Sequence, residues 1–146
     1  MRDLPRQLSE DELADLFEGR TRLVERLAER EDPLDGARDV IASLSEEEKL
    51  EALNAHPAIG SRAGLSARSA AEQGEDADPE VLAELARLNR EYEERFGFRF
   101  VVFVNRRPKA EILEVLRDRI ARTRSEELDT AVEELVAIAE DRWRRS

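Results

Sequence analysis

Cysteine is absent from this chain, so no disulfide framework, thiol nucleophile or thiolate metal site is available to it. Histidine occurs once, at His56, which excludes a multi-histidine metal centre. Lysine is almost missing as well: Lys49 and Lys109 are the only two, and the remaining positive charge is arginine. No apolar run approaches the length of a membrane span, and the opening MRDLPRQLSEDEL lacks the apolar core of a leader peptide. Net positive charge is lacking too. With a formal charge of -11, the protein is a poor match for nucleic acid or an anionic membrane, both of which call for clustered Lys and Arg. These absences lead to the expectation of a soluble, unprocessed cytoplasmic protein.

What is present is a helical pattern in 146 residues, a length suited to one domain spanning 1–146. Ser9 with Glu12, and Ser45 with Glu48, read as capping boxes, in which each side chain satisfies the other residue's free N–H. The first predicts a helix to about Phe17. A second amphipathic run holds Leu23 and Leu27, and Pro33 is expected to end it and to open a short helix with Val40, Ile41 and Leu44. The helix after Ser45 carries Leu50 and Leu53 inward and stops at or before His56, because Pro57 disfavours helical geometry in the residue before it.

Residues 58–66 read as a loop leading to a short helix around Ser69 to Gln73, and Gly74–Asp78 as an acidic loop. Asp78-Pro79 starts a long helix along which Val81, Leu82, Leu85, Leu88, Tyr92 and Phe96 recur at three- and four-residue steps. Pro108 opens another, with Ile112, Leu113, Leu116 and Ile120 on one stripe, and Ser125 is expected to cap the last. The fold class is all-α: a single-domain bundle of about seven or eight helices.

One segment breaks the pattern. FGFRFVVFV, residues 96–104, has the composition of a strand but no second strand to pair with. It is expected to be an extended buried segment near 98–104, whose backbone N–H and C=O groups need partners that a polar ligand could supply. Five of the seven aromatic residues lie between Tyr92 and Phe103, so the core should centre there.

Three polar residues stand where burial alone does not account for them. His56, at a helix-to-loop junction, is either a favourable charge at a helix carboxyl end or a proton donor and acceptor at neutral pH. Arg142 continues the stripe Leu128, Val132, Leu135 and Ile138 of the last helix. It is thus either aimed inward, where its fork suits a carboxylate, or snorkels out beside Trp143. Glu72, in SAAEQ, is either solvated or a pocket carboxylate. The other acidic residues, such as Glu46 to Glu48 and Glu93 to Glu94, read as solvated helix faces.

Several blocks, taken in order, resemble the 2-oxo-4-hydroxy-4-carboxy-5-ureidoimidazoline (OHCU) decarboxylases. They are Ala55-His56-Pro57-Ala58-Ile59-Gly60, Ser69-Ala70-Ala71-Glu72-Gln73, Leu88-Asn89 with Tyr92, and Phe96-Gly97-Phe98-Arg99-Phe100-Val101. Ala131, Glu134, Ile138-Ala139 and Arg142 fit the family's last helix, and Phe17-Glu18-Gly19 is a plausible further match. The resemblance implies a carboxy-lyase of urate degradation that removes the C4 carboxylate of OHCU and protonates the product to (S)-allantoin. It implies that His56, Glu72 and Arg142 are catalytic, that Pro57 lies against the substrate, and that Ser69, Ala70, Ala71, Glu72 and Gln73 line the pocket with Phe100, Val101, Val102, Phe103 and Val104. It also implies a homodimer, an anionic small-molecule substrate, and neither cofactor nor metal.

After Gln73 the family commonly continues with small residues, whereas this chain has Gly74-Glu75-Asp76-Ala77-Asp78. That difference keeps open a related decarboxylase for another ureido or imidazoline acid. A non-catalytic helical binding module on the same fold is the remaining alternative.

Overall fold

Hydrogen-bonded caps set most of the helix boundaries in the computed structural model, which describes residues 7–56 and 79–145. Seven helices are found among the described residues: α1 Glu10–Phe17, α2 Arg22–Ala28, α3 Ala37–Ser43, α4 Glu46–Asn54, α5 Pro79–Phe96, α6 Lys109–Ile120 and α7 Arg124–Arg145. No strand occurs among the described residues, so the all-α expectation holds. The short helix and loops expected within 57–78 lie outside the described residues. The chain divides into two compact units, one of residues 1–56 with 132–146 and the other of residues 57–131.

In the first unit both capping boxes form as read, Ser9 with Glu12 and Ser45 with Glu48. Helix α2 packs against α1, α3 and α4. Its start is tied to α4 by Glu51, which accepts from the Arg22 N–H at 2.8 Å, and its last turn by Arg26, which donates to Glu48 at 2.9 Å. Glu48 is therefore buried rather than solvated, since capping and the Arg26 contact both draw it inward. Leu13, Leu16, Phe17, Leu23, Val24, Leu27 and Leu53 form the core. Leu50 is only half-buried, and Ala52 takes the inward position instead. Pro33 opens a turn rather than a helix. The Gly36 N–H donates to Asp32 at 2.8 Å, and α3 starts only at Ala37. Residues 132–145 of α7 complete this unit, where Arg38 of α3 meets Glu133 at 2.7 Å and Glu140 at 3.2 Å.

The second unit is organised by α5 and α6, which pack together. Leu85, Leu88, Tyr92 and Phe96 form the buried stripe of α5, while Val81 and Leu82 near its start are half-buried. Gly97, at φ 80, ends α5 by donating to Glu93 O at 2.9 Å, a left-handed stop that costs a side-chain-free residue little. The chain then runs extended, with Phe98, Phe100, Val101, Val102 and Val104 buried, as expected for this segment. Tyr92 gathers Phe96, Phe100 and Phe98 around it, at ring-centre distances of 4.6, 5.2 and 5.9 Å. Helix α7 is capped by Thr123, not Ser125. Thr123 and Glu126 form a reciprocal pair, with the Glu126 N–H donating to Thr123 Oγ1 at 3.2 Å and the Thr123 N–H to Glu126 Oε1 at 3.1 Å. Near the helix start Leu128 is half-buried and Glu127 wholly inside, where it meets Arg119 and Tyr92.

Candidate functional site

In the first unit the site is built around the carboxyl ends of α1 and α4. Helix α4 stops at Asn54, Ala55 caps it, and the His56 N–H donates to Leu53 O at 3.2 Å. His56 is 8% exposed, so the pre-proline stop delivers its side chain to a largely buried position.

Arg142, at 1% exposure, is the largest of the fully buried side chains among the described residues. The two readings of this residue are thereby decided: it points inward. Nη1 donates to Leu16 O at 3.0 Å and Nη2 stands 3.1 Å from Glu18 Oε1. Leu16 belongs to the last turn of α1, whose carbonyls lack intrahelical partners, so a buried cation there is stabilised by hydrogen bonding and by the helix dipole together. Glu18 caps α1 in the left-handed conformation, φ 66 and ψ 25, and its N–H donates to Ala14 O. At Gly19 an added Cβ would stand 3.5 Å from Ala55 Cβ. Arg142, Glu18, Gly19, Ala55 and His56 thus form a local series, joined by contact or by sequence, in which two of the three residues expected to be catalytic are placed.

Within the second unit the extended segment is held by arginines. Arg119, 3% exposed, donates from Nη1 to Val101 O at 2.7 Å and from Nε to Glu127 Oε1 at 2.8 Å. Its guanidinium also lies 4.6 Å from the centre of the Phe100 ring. Glu127, 0% exposed, accepts in addition from the Tyr92 hydroxyl at 2.6 Å. Burial, reinforced by this bond to a carboxylate, raises the Tyr92 pKa well above its ordinary 10. Arg107 donates to Phe103 O at 2.6 Å and to Val104 O at 3.1 Å. These carbonyls were expected to be open to a polar ligand, and three of them are instead paired by side chains within the unit.

Pro57, Ser69, Ala70, Ala71, Glu72 and Gln73 lie outside the described residues, while Phe100 to Val104 belong to the second unit. Among the described residues no group of His, Cys, Asp and Glu is arranged to hold a metal ion, and no helix is long and apolar enough to cross a membrane. Arg119 and Glu127 were missed by the sequence reading, although the signal that marked Arg142 was present for both. Arg119 follows Leu116 by three residues and Ile112 by seven, and Glu127 precedes Ala131 by four.

The class defined by these features is an all-helical protein with a buried arginine at a helix carboxyl end and a second behind an extended backbone segment. Residues 2–144 match the sequence profile of the family described as OHCU decarboxylase. The chain belongs to the OHCU decarboxylase family. It is 34% identical over 114 residues to the 2-oxo-4-hydroxy-4-carboxy-5-ureidoimidazoline decarboxylase of Halalkalicoccus jeotgali, covering 73% of this chain and 65% of that one. To the enzyme of the same name from Haloferax volcanii it is 35% identical over 105 residues, covering 68% and 62%. The chain thus spans slightly less than two thirds of the length of these relatives. Among solved structures, that of an OHCU decarboxylase in the presence of (S)-allantoin superposes with a TM-score of 0.75 at 26% identity, covering 92% of this chain and 96% of the other. An (S)-allantoin synthase shares the fold, with a TM-score of 0.71.

Proposed function

We propose that the protein catalyses the cofactor-free decarboxylation of OHCU to (S)-allantoin in urate degradation. The observation that carries this reading is family membership across residues 2–144. Because that one profile runs through both compact units, we read residues 1–146 as a single domain. The burial of Arg142, and the local series that links it to His56, add support from the first unit.

The chemistry asks little of a cofactor. As the C4–carboxylate bond breaks, its electron pair enters a C4–C5 double bond while the ring C=N accepts the displaced pair on nitrogen. Carbon dioxide leaves, the C4 hydroxyl becomes the ring carbonyl, and a proton added to the carbon bearing the ureido group creates the stereocentre. The protein's work is then orientation and electrostatics. In this reading Arg142 holds the substrate's carboxylate, Glu72 positions a polar ring or hydroxyl group, and His56 handles a proton on one face. Pro57, Ser69 to Gln73 and Phe100 to Val104 form the lining, with Arg119 and Arg107 keeping the backbone of the last segment in place. The working form is a homodimer in the cytoplasm.

Circular dichroism of freshly generated OHCU, with and without the protein, tests the function. Rapid appearance of (S)-allantoin is expected. Decay at the spontaneous rate to racemic product would reject the reading, and would favour a different ureido or imidazoline acid, for which the acidic Gly74–Asp78 stretch is the specific indication.

A further inference from the structure

A helix that ends in a left-handed residue ordinarily places glycine there, since any side chain adds strain. In α1 the glycine comes one position late. Glu18 occupies the left-handed position at φ 66 and Gly19 follows it. A glutamate kept in a position that suits glycine points to work for its side chain, and that side chain meets Nη2 of Arg142 at 3.1 Å. The contact is well shielded, with Arg142 1% and Glu18 12% exposed, so the pair interacts at reduced dielectric. The second anchor on the guanidinium, Leu16 O at 3.0 Å, belongs to the same helix end. Both contacts come from the carboxyl end of α1.

Charge bookkeeping gives the pair a further meaning. A substrate carboxylate brings one negative charge to Arg142; as it leaves as neutral carbon dioxide that charge passes to the ring nitrogen, away from the guanidinium, and is cancelled when the product takes up a proton. A buried guanidinium left without a counter-charge beside that neutral product would be strongly destabilised. We propose that Glu18 is the resident counter-ion of Arg142: a positioning residue that aims the guanidinium, keeps it paired after decarboxylation, and weakens the site's hold on anionic carboxylates. The proposal rests on the reading of Arg142 as the group that holds the substrate anion.

The sign of the effect separates this role from a merely structural one. Glu18→Gln keeps a hydrogen-bonding group of the same shape and removes the charge, so affinity for carboxylates should rise. A lower KM for OHCU by roughly tenfold is expected, with acetate, the simplest carboxylate probe, becoming a tighter competitive inhibitor by a similar factor. Glu18→Asp keeps the charge but withdraws it by one methylene, so kcat should fall while acetate inhibition stays near that of the parent. Should Glu18→Gln fail to fold, judged by far-UV circular dichroism, the Glu18→Asp result decides alone. Unchanged KM and acetate inhibition in folded Glu18→Gln, or unchanged kcat in Glu18→Asp, overturns the proposal. Arg142→Gln is measured alongside: if it retains the parent's KM and acetate inhibition, the reading of Arg142 fails and the Glu18 proposal with it. If the parent does not turn over OHCU, acetate binding to parent and Glu18→Gln, measured by titration calorimetry, tests the counter-ion role independently of the reaction. Equal affinities would then refute it.

Discussion

Removing one partner from the Arg119–Glu127 pair should cost more than any other single polar change among the described residues of the second unit. Glu127 is wholly inside and Arg119 is 3% exposed, so Arg119→Met leaves a carboxylate in the core with the Tyr92 hydroxyl at 2.6 Å as its closest remaining partner. Arg122 reaches Glu127 Oε2 only at 3.7 Å, from a half-exposed position. Losing one side of such a pair costs about 3–5 kcal/mol, a large share of the roughly 5–15 kcal/mol that stabilises a domain. At about 2–4 °C per kcal/mol for a chain of this size, Tm should fall by roughly 10 °C. Glu127→Leu should cost a similar amount, because it strands the guanidinium instead. The double variant Arg119→Met/Glu127→Leu removes both charges and should cost far less than the two singles added together, with a coupling of at least about 2 kcal/mol. Urea denaturation followed by far-UV circular dichroism measures all three. Single costs below about 1 kcal/mol, or additivity within about 0.5 kcal/mol, would refute the account of a buried and mutually dependent pair.

Other consequences are open to equally direct checks. His56→Asn should lower turnover of OHCU by about two to four orders of magnitude with an unchanged far-UV spectrum, and near-normal rates would remove His56 from the catalytic group. The Glu126 carboxyl is held below its ordinary 4.5, chiefly by the Thr123 N–H and then by the Thr123 hydroxyl. Its contribution to stability is therefore complete above pH 4.5 and is lost as pH falls through the depressed folded value, so Glu126→Gln should flatten the acid limb of a stability–pH curve. Tyr92 behaves oppositely. Its folded pKa is raised, so stability is full below pH 10 and declines above it as the unfolded chain ionises first, and Tyr92→Phe should remove that component of the alkaline loss.

Local rules explain how much of the architecture was legible. Capping boxes at Ser9 and Ser45, the helix start at Pro79 and the pre-proline stop at His56 are short-range contests between backbone and side chain, so the residues themselves reveal the outcome. Thr123 and Ser125 were both chemically able to cap α7. The choice of Thr123 turns on its reciprocal bonds with Glu126, whereas the burial of Glu127 rests on Arg119 and Tyr92, which no local rule supplies. Pro33 likewise met a local alternative, the turn closed by Asp32 and Gly36, before a helix could begin.

By itself the sequence determined that the chain is helical, that one segment with the composition of a strand would lie unpaired between helices, and that Arg142 sits on an apolar stripe. Periodicity and capping are properties of neighbouring residues, which is why these features can be read without a fold. Only tertiary structure decided what the buried charges meet. Leu16 and Arg142 are 126 residues apart, and Tyr92 and Glu127 are 35 apart. An arginine on an apolar stripe announces burial but not its counter-charge, because that partner is supplied by whichever helix end packs against it. Glu18 and Glu127 acquire their roles only once the chain has folded back on itself.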